Sequence, residues 1–209
     1  MRHRSLAAWA LRRFGLLPLL ALLAALVGCA TAPAPAPAVD SDRVAVDAEP
    51  PPQPLPCPAG LPAGTRCLGG QDRLGAHVLI AMPAAWSGVL VLHAHGGPEL
   101  GAPSAARTAQ DLQRWQIMLK LGHAWAGSSF RQGGVAVHAA AVDTERLRRL
   151  FVRHVAAPRR TILHGQSWGA GVAAVGAELF ATALAGRSPY DAVLLTSGVL
   201  GAGGGARSV

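Results

Sequence analysis

Residues 163–172 read "LHGQSWGAGV" and place a serine between two glycines, at Gly165-Gln166-Ser167-Trp168-Gly169. An apolar, β-branched run precedes this stretch and a run of small residues follows it. A serine on a sharp strand-to-helix turn exposes its hydroxyl, and the residues two positions away must be small so that strand and helix can approach. The stretch therefore predicts a nucleophile at Ser167, with Gly165 and Gly169 as the glycines of the turn.

Segments rich in apolar and β-branched residues alternate with segments of helical periodicity on both sides of this turn. The predicted strands cover 75–82, 89–93, 124–130, 161–164 and 192–199, and the predicted helices cover 108–121, 142–155 and 171–184. Alternating strands and helices indicate parallel βαβ units, and near-continuous apolar strands are typical of a sheet covered on both faces. We therefore expect an α/β fold with a mostly parallel sheet, in which helix 142–155 lies on the surface.

A second glycine motif, His95-Gly96-Gly97-Pro98, follows predicted strand 89–93. Glycines at such a position allow backbone N–H groups to approach a negatively charged oxygen closely, and Pro98 has no N–H to offer. The two motifs, in this order and on these predicted elements, resemble those of the α/β-hydrolases. The resemblance extends from about Leu74 to Val199.

This resemblance implies a serine hydrolase with an α/β-hydrolase-type sheet flanked by helices. It assigns the oxyanion hole to the N–H of Trp168 and to the N–H of Gly97 or Gly96, of which Gly97 is favoured. The His95–Pro98 motif is also similar to the oxyanion loop of prolyl iminopeptidases. The sequence "WAGSSFRQGG" at 125–134 resembles the corresponding region of secreted esterases and prolyl-oligopeptidase-like hydrolases. These similarities leave ester and peptide substrates open.

The histidine that must take the proton of Ser167 is not apparent. In the α/β-hydrolases the triad runs in the order Ser, then Asp or Glu, then His. The only acids after Ser167 are Glu178 and Asp191, and neither is expected beyond the C-terminal end of a strand, where catalytic groups belong. All eight histidines lie upstream. Of these, His95 is expected to order the glycine loop and His164 to be buried in its strand.

The simplest interpretation is that the 209 residues are the N-terminal part of a longer α/β-hydrolase. The fold would then be truncated at its C-terminus, and the triad acid and histidine would follow Val209. A serine without a base is a weak nucleophile. We therefore expect this chain by itself to be inactive.

The first 28 residues have the pattern of a bacterial lipoprotein signal peptide. Residues 1–13 are basic, residues 14–27 are apolar, and Gly28-Cys29 follows. The apolar run is shorter than the roughly 20 residues of a membrane span. The resemblance implies lipidation of Cys29 and export to the bacterial envelope, with the outer membrane favoured by Ala30. An ordinary signal peptide and twin-arginine export are the alternatives.

Residues 29–56 are rich in alanine and proline, which predicts an extended linker before a domain at 57–209. Cys57 and Cys67 lie close in sequence, and in an exported protein such a pair predicts a disulfide. A metal site is the weaker alternative, because no further cysteine or compact histidine set accompanies them.

The net charge of +8 does not indicate a nucleic-acid partner. Four arginines fall within residues 1–13, and the other basic residues are dispersed instead of forming a stripe. The chain is 51% hydrophobic and 14% charged, which favours a globular domain with a buried sheet over disorder.

Together these features predict an exported, lipid-anchored serine hydrolase that cleaves ester or amide bonds through an acyl-enzyme on Ser167. Its substrate would be a small-molecule or peptide acyl compound, its lipid would bind the membrane, and it would need no metal or organic cofactor. A prolyl-type peptidase and a non-catalytic envelope lipoprotein with a hydrolase-like binding fold are the alternatives. Arg131 is either a ligand for a substrate carboxylate or a structural arginine.

Overall fold

Seven strands form one mixed sheet in the computed structural model, which describes residues 49–198. The strands are β1 (Gln53–Leu55), β2 (Arg66–Gln71), β3 (His77–Met82), β4 (Val89–Ala94), β5 (Ala124–Ser128), β6 (Arg160–Gln166) and β7 (Ala192–Thr196). Their order across the sheet is β1-β2-β3-β5-β4-β6-β7. Strands β5, β4, β6 and β7 run parallel, whereas β1, β2 and β3 pair antiparallel. The predicted α/β class is confirmed, and the antiparallel strands make the sheet mixed.

Between residues 49 and 198, four helices cover the sheet. They are α1 (Ala105–Arg114), α2 (Ile117–Lys120), α3 (Val137–His154) and α4 (Trp168–Leu179). Helix α1 begins at a cap in which the Ser104 hydroxyl accepts from the Ala106 N–H at 3.2 Å. The single helix predicted at 108–121 is two helices, because the chain turns at Trp115 and Gln116.

The two faces of the sheet are packed by different helices. On one face Leu79 and Trp125 pack with Leu112 of α1 and Leu119 of α2. On the other face Ala94 packs with Ala140 and Ala141 of α3 and Val172 of α4. Successive residues of a strand point to opposite faces. Neighbours on β4 therefore enter different environments, with His93 near Trp125 and Ala94 against α3 and α4.

Strand β1 lies within the segment that was predicted to be a linker. Its residues pair with β2, and Leu55 lies opposite Cys67 and packs against the core. Proline is tolerated here because β1 has only one partner strand among the described residues. Cys57 and Cys67 are joined by a disulfide, with their Cα atoms 5.2 Å apart. The first residues of β2 are thereby tied to the chain that follows β1.

Helix α3 is not the surface helix that its charged residues suggested. Asp143, Glu145 and Arg146 are all buried. Each is paired: Asp143 with Arg131, Arg146 with Glu49, and Glu145 with three donors, which belong to Arg148, Arg149 and Tyr190. Buried charges persist where such partners are present. The sequence pattern could not show this, because Glu49 and Tyr190 are distant in the chain.

The proposed signal peptide (1–28), Cys29 and the linker up to residue 48 lie outside the described residues, as do residues 199–209. Between residues 49 and 198, no helix is both long enough and apolar enough to cross a membrane.

Candidate active site

Ser167 lies on a sharp turn between β6 and α4. Its backbone angles are φ 54° and ψ −121°, a conformation that is uncommon and strained for a residue with a side chain. Two backbone hydrogen bonds fix it: the Ser167 N–H donates to the Thr196 carbonyl at 2.9 Å, and the Ser167 carbonyl accepts from Ala170 at 3.0 Å. Its hydroxyl makes no capping bond to α4, and the residue is half-buried. The hydroxyl is therefore not engaged in capping the helix that follows it.

Gly165 and Gly169 allow this turn because neither position has room for a side chain. A Cβ on Gly165 would lie 2.7 Å from the Cα of Ala170 and would overlap the Gly169 carbonyl. A Cβ on Gly169 would overlap the carbonyl oxygens of Ala94 and His95. The first turn of α4 thus packs directly on β6 and on the end of β4.

The His95–Pro98 loop follows β4 and lies beside this turn. A Cβ on Gly96 would lie 2.9 Å from the Gln166 carbonyl oxygen and would overlap the Gln166 side chain. Gly97 has a φ of +69°, which favours glycine, and the space on its Cβ side is open within 4 Å. The structure therefore brings the two predicted glycine motifs into contact.

The N-terminus of α4 makes the region around Ser167 favourable for a negative charge. The first N–H groups of a helix, here including that of Trp168, have no partner within the helix. The helix dipole makes the same end favourable for negative charge. An anionic oxygen beside Ser167 would lie next to these groups.

Three aromatic rings pack beside the loop. The imidazole of His95 stacks on Phe130 with ring centroids 4.3 Å apart, and Trp168 lies 6.1 Å from both rings. His95 is buried, and burial together with the charge of Arg107 lowers its pKa below the ordinary value. The ring is therefore neutral at pH 7 and contributes to packing of the loop.

Arg107 on α1 contacts the same loop from another direction. Its Nη2 donates to the Gly96 carbonyl, its Nη1 to Glu99 at 3.1 Å, and its Nε to Asp111 at 3.0 Å. Arg107 was not among the functional residues predicted from the sequence. The only signal for it was the i, i+4 spacing to Asp111, which many surface helices share.

A buried hydrogen-bonded chain links the centre of the sheet to the turn. The Nδ1 atoms of His93 and His164 lie 3.0 Å apart, and His164 Nε2 lies 3.3 Å from the Thr196 hydroxyl. The Thr196 hydroxyl in turn donates to the Gly165 carbonyl at 3.2 Å. Burial lowers the pKa of both imidazoles, to about 4 for His164. Both rings are thus neutral at pH 7, and neither is placed to act as a base.

None of the groups between residues 49 and 198 is bonded to the Ser167 hydroxyl as a base would be. Asp191 lies at the start of β7, where its carboxylate accepts from the Thr161 N–H at 2.7 Å. Glu178 is exposed on α4. Neither acid lies at the C-terminal ends of the strands. The same residues contain no cluster of three or more His, Cys, Asp or Glu side chains suited to a metal ion.

Arg131 is held by a carboxylate of the protein itself. Its backbone N–H and its Nε both donate to Asp143, each at 2.7 Å. Burial raises the pKa of Asp143 to about 6, and the contacts with Arg131 oppose that rise. These contacts fix the start of the loop that follows β5.

Comparison with known proteins shows similarity at the level of structure. No protein-family model matches the chain, and no curated protein sequence matches it. Among solved structures, the HSL-homolog EstE7 from a metagenome library superposes with a TM-score of 0.50 at 17% identity, over 76% of this chain and 50% of that one. An esterase of the bacterial hormone-sensitive lipase family matches with a TM-score of 0.49 at 20% identity, over 80% of this chain and 53% of that one.

The esterase LipA from Xanthomonas oryzae matches less extensively, with a TM-score of 0.44 at 14% identity, over 62% of this chain and 40% of that one. The chain thus spans about half the length, or less, of these solved structures. The superposition on EstE7 covers 76% of this chain, whose mixed sheet carries helices on both faces. The described part of the chain has the α/β-hydrolase fold.

Proposed function

We propose that the protein is a serine hydrolase that cleaves ester bonds through an acyl-enzyme on Ser167. The observation that carries this proposal is the contact between two separate elements. The strained turn presents a hydroxyl without a capping bond, and the glycine loop after β4 lies directly against that turn. EstE7, which superposes with a TM-score of 0.50, is named as a homolog of HSL, the hormone-sensitive lipase, and this name favours an ester as the substrate.

The proposed chemistry assigns a separate task to each group. The oxygen of Ser167 attacks the carbonyl carbon of the ester, and its proton passes to a general base. The N–H groups of Gly97 and Trp168 bind the oxygen that becomes negative. The alkoxide then leaves with that proton, and water hydrolyses the acyl-enzyme by the same steps. Loss of one such N–H donor typically costs about 2.7–4 kcal/mol of transition-state stabilisation.

The base in this proposal is a histidine outside residues 49–198, supported by an acid. The histidines within that range that lie nearest the turn are engaged elsewhere, His93 with His164 and His95 with Phe130. We further propose that the protein is exported and anchored through a lipid on Cys29.

The test is hydrolysis of p-nitrophenyl acetate and butyrate by the protein expressed from its complete reading frame. We expect turnover, and we expect a fluorophosphonate to add its phosphoryl group to Ser167, located by peptide mass. Ser167→Ala should lose both. Hydrolysis of prolyl p-nitroanilides without ester hydrolysis would replace the esterase proposal with a peptidase. Absence of turnover and of the adduct would favour a binding protein.

A further inference from the structure

The peptide bond between Gly96 and Gly97 has an orientation that its own residues cannot fix. Both flanking residues are glycines, so no Cβ restricts rotation of this peptide plane. The bond is trans, as are all the described peptide bonds. In a planar trans peptide, the C=O and the N–H point in opposite directions. Any group that binds the Gly96 oxygen therefore also sets the direction of the Gly97 N–H.

Arg107 is the group that binds this oxygen most closely. Its Nη2 donates to the Gly96 carbonyl, whereas Nδ1 of His95 lies 3.4 Å from the same oxygen. The guanidinium is itself fixed, because Glu99 accepts from Nη1 and Asp111 accepts from Nε. Its side chain is 20% exposed, and that of Asp111 is only 7% exposed. A planar guanidinium with two carboxylate partners has little freedom to turn.

We propose that Arg107 is the positioning residue of the oxyanion loop. It binds the Gly96 carbonyl so that the Gly97 N–H faces the acyl oxygen of a substrate attached to Ser167. The cation also polarises the peptide, which makes its N–H a stronger donor on the opposite side. This inference rests on the function proposed above, since it assumes that Gly97 donates to the acyl oxygen.

The test uses a thiol at the nucleophile position, since a thiol needs no base to become acylated. In the full chain with Cys29→Ser and Ser167→Cys, the thiolate attacks the carbonyl carbon of p-nitrophenyl acetate. A thioester forms, p-nitrophenolate leaves with the bonding electron pair, and the thiol proton goes to water. Acylation at position 167 is verified by peptide mass. A ¹³C label in the carbonyl then identifies its stretching band by infrared difference spectroscopy.

Hydrogen bonds to the thioester oxygen lower the frequency of this band. We expect the band in the folded protein to lie below that of the same thioester in the unfolded chain. Adding Arg107→Gln should move it back toward the unfolded value. Arg107→Lys should do so in part, because one ammonium group cannot reproduce the planar fork. Arg114→Gln, which removes an exposed charge from the same helix, should leave the band where it was.

The possible results separate the two proposals. A lowered band that Arg107→Gln and Arg107→Lys leave unchanged would overturn the role of Arg107 and leave the oxyanion hole intact. A band at the unfolded frequency in the folded Ser167→Cys protein would overturn the oxyanion hole and the proposed function with it. Circular dichroism of each variant establishes folding. If Arg107→Gln does not fold, Arg107→Lys, which keeps the charge between Glu99 and Asp111, decides the question.

Discussion

At the scale of single residues, the glycines of this region differ in what they permit. Gly169 and Gly176 both lie in α4, so alanine should favour the helix equally at both positions. Their surroundings differ. A Cβ on Gly169 overlaps two backbone carbonyls, whereas a Cβ on Gly176 would make ordinary contacts, 3.5 Å from Leu163 and 3.7 Å from Ala141. Alanine substitutions at these two positions therefore distinguish the effect of helix propensity from the effect of steric overlap at the turn.

We predict opposite effects for the two alanine substitutions. Gly169→Ala should lower the free energy of unfolding by about 1–3 kcal/mol, because the carbonyls of Ala94 and His95 must move apart. It should also reduce acylation of a thiol at position 167, because the turn and the loop separate. Gly176→Ala should raise the free energy of unfolding by up to about 1 kcal/mol.

Chemical denaturation of the two variants, monitored by circular dichroism, measures this difference. Equal effects of the two substitutions would contradict the close approach of α4 to the end of β4.

At the scale of secondary-structure elements, the turn and the loop could be predicted because each has a steric requirement that appears in the sequence. Glycines at fixed offsets from Ser167, and two glycines in the loop that follows β4, are requirements of local geometry. The contact of Arg107 with Gly96 could not be predicted, since it depends on where α1 packs. Strand β1 was missed because its proline-rich surroundings are typical of a linker, whereas its pairing with β2 and the packing of Leu55 are contacts with residues farther along the chain.

The histidines that β4 and β6 bury also make the stability of the protein depend on pH. His164 has a pKa lowered to about 4 in the folded protein, against about 6.5 when unfolded. Above pH 6.5 the ring is neutral in both the folded and the unfolded state, so its titration does not change the free energy of unfolding. Between pH 6.5 and 4 the unfolded chain binds a proton that the folded protein does not, so stability falls as the pH falls.

We therefore predict that His164 alone contributes a loss of about 3 kcal/mol across this range, and that His93 adds to it in the same direction. The measurement is the free energy of unfolding from pH 7 to pH 4. His164→Gln should be less stable at pH 7 but should show a shallower decline. Thr196→Val, which retains both imidazoles, should keep the steep decline. A slope that His164→Gln leaves unaltered would be inconsistent with this explanation.

At the scale of the whole described domain, the chain is already part of the folded structure at Glu49. Its carboxylate is buried, accepts from the Arg73 N–H at 2.9 Å, and pairs with Arg146 of α3. Arg146 is itself buried, and its other carboxylate neighbour, Asp72, lies 3.7 Å away. These contacts connect the segment before β1 to α3.

We predict that Glu49→Gln lowers the free energy of unfolding by about 3 kcal/mol, because it leaves the buried charge of Arg146 without its nearest partner. Glu178→Gln is the matched control on an exposed residue and should change that free energy by less than about 0.5 kcal/mol. Urea denaturation of both variants tests this. Two indistinguishable unfolding midpoints would rule out a stabilising role for the contact.

The pair of histidines also has a consequence for how the sheet is assembled. His93 and His164 are directly opposite each other in the pairing of β4 with β6, on the face that carries Trp115. If β4 slipped by a single position along β6, the imidazole of His93 would turn to the face packed by α3 and α4, and the Nδ1 atoms of His93 and His164 would no longer pair. A sheet with β4 and β6 out of register would thus be less stable, because it would lose this contact. The contact between the two rings therefore favours the native alignment of β4 and β6 over an alignment shifted by one residue.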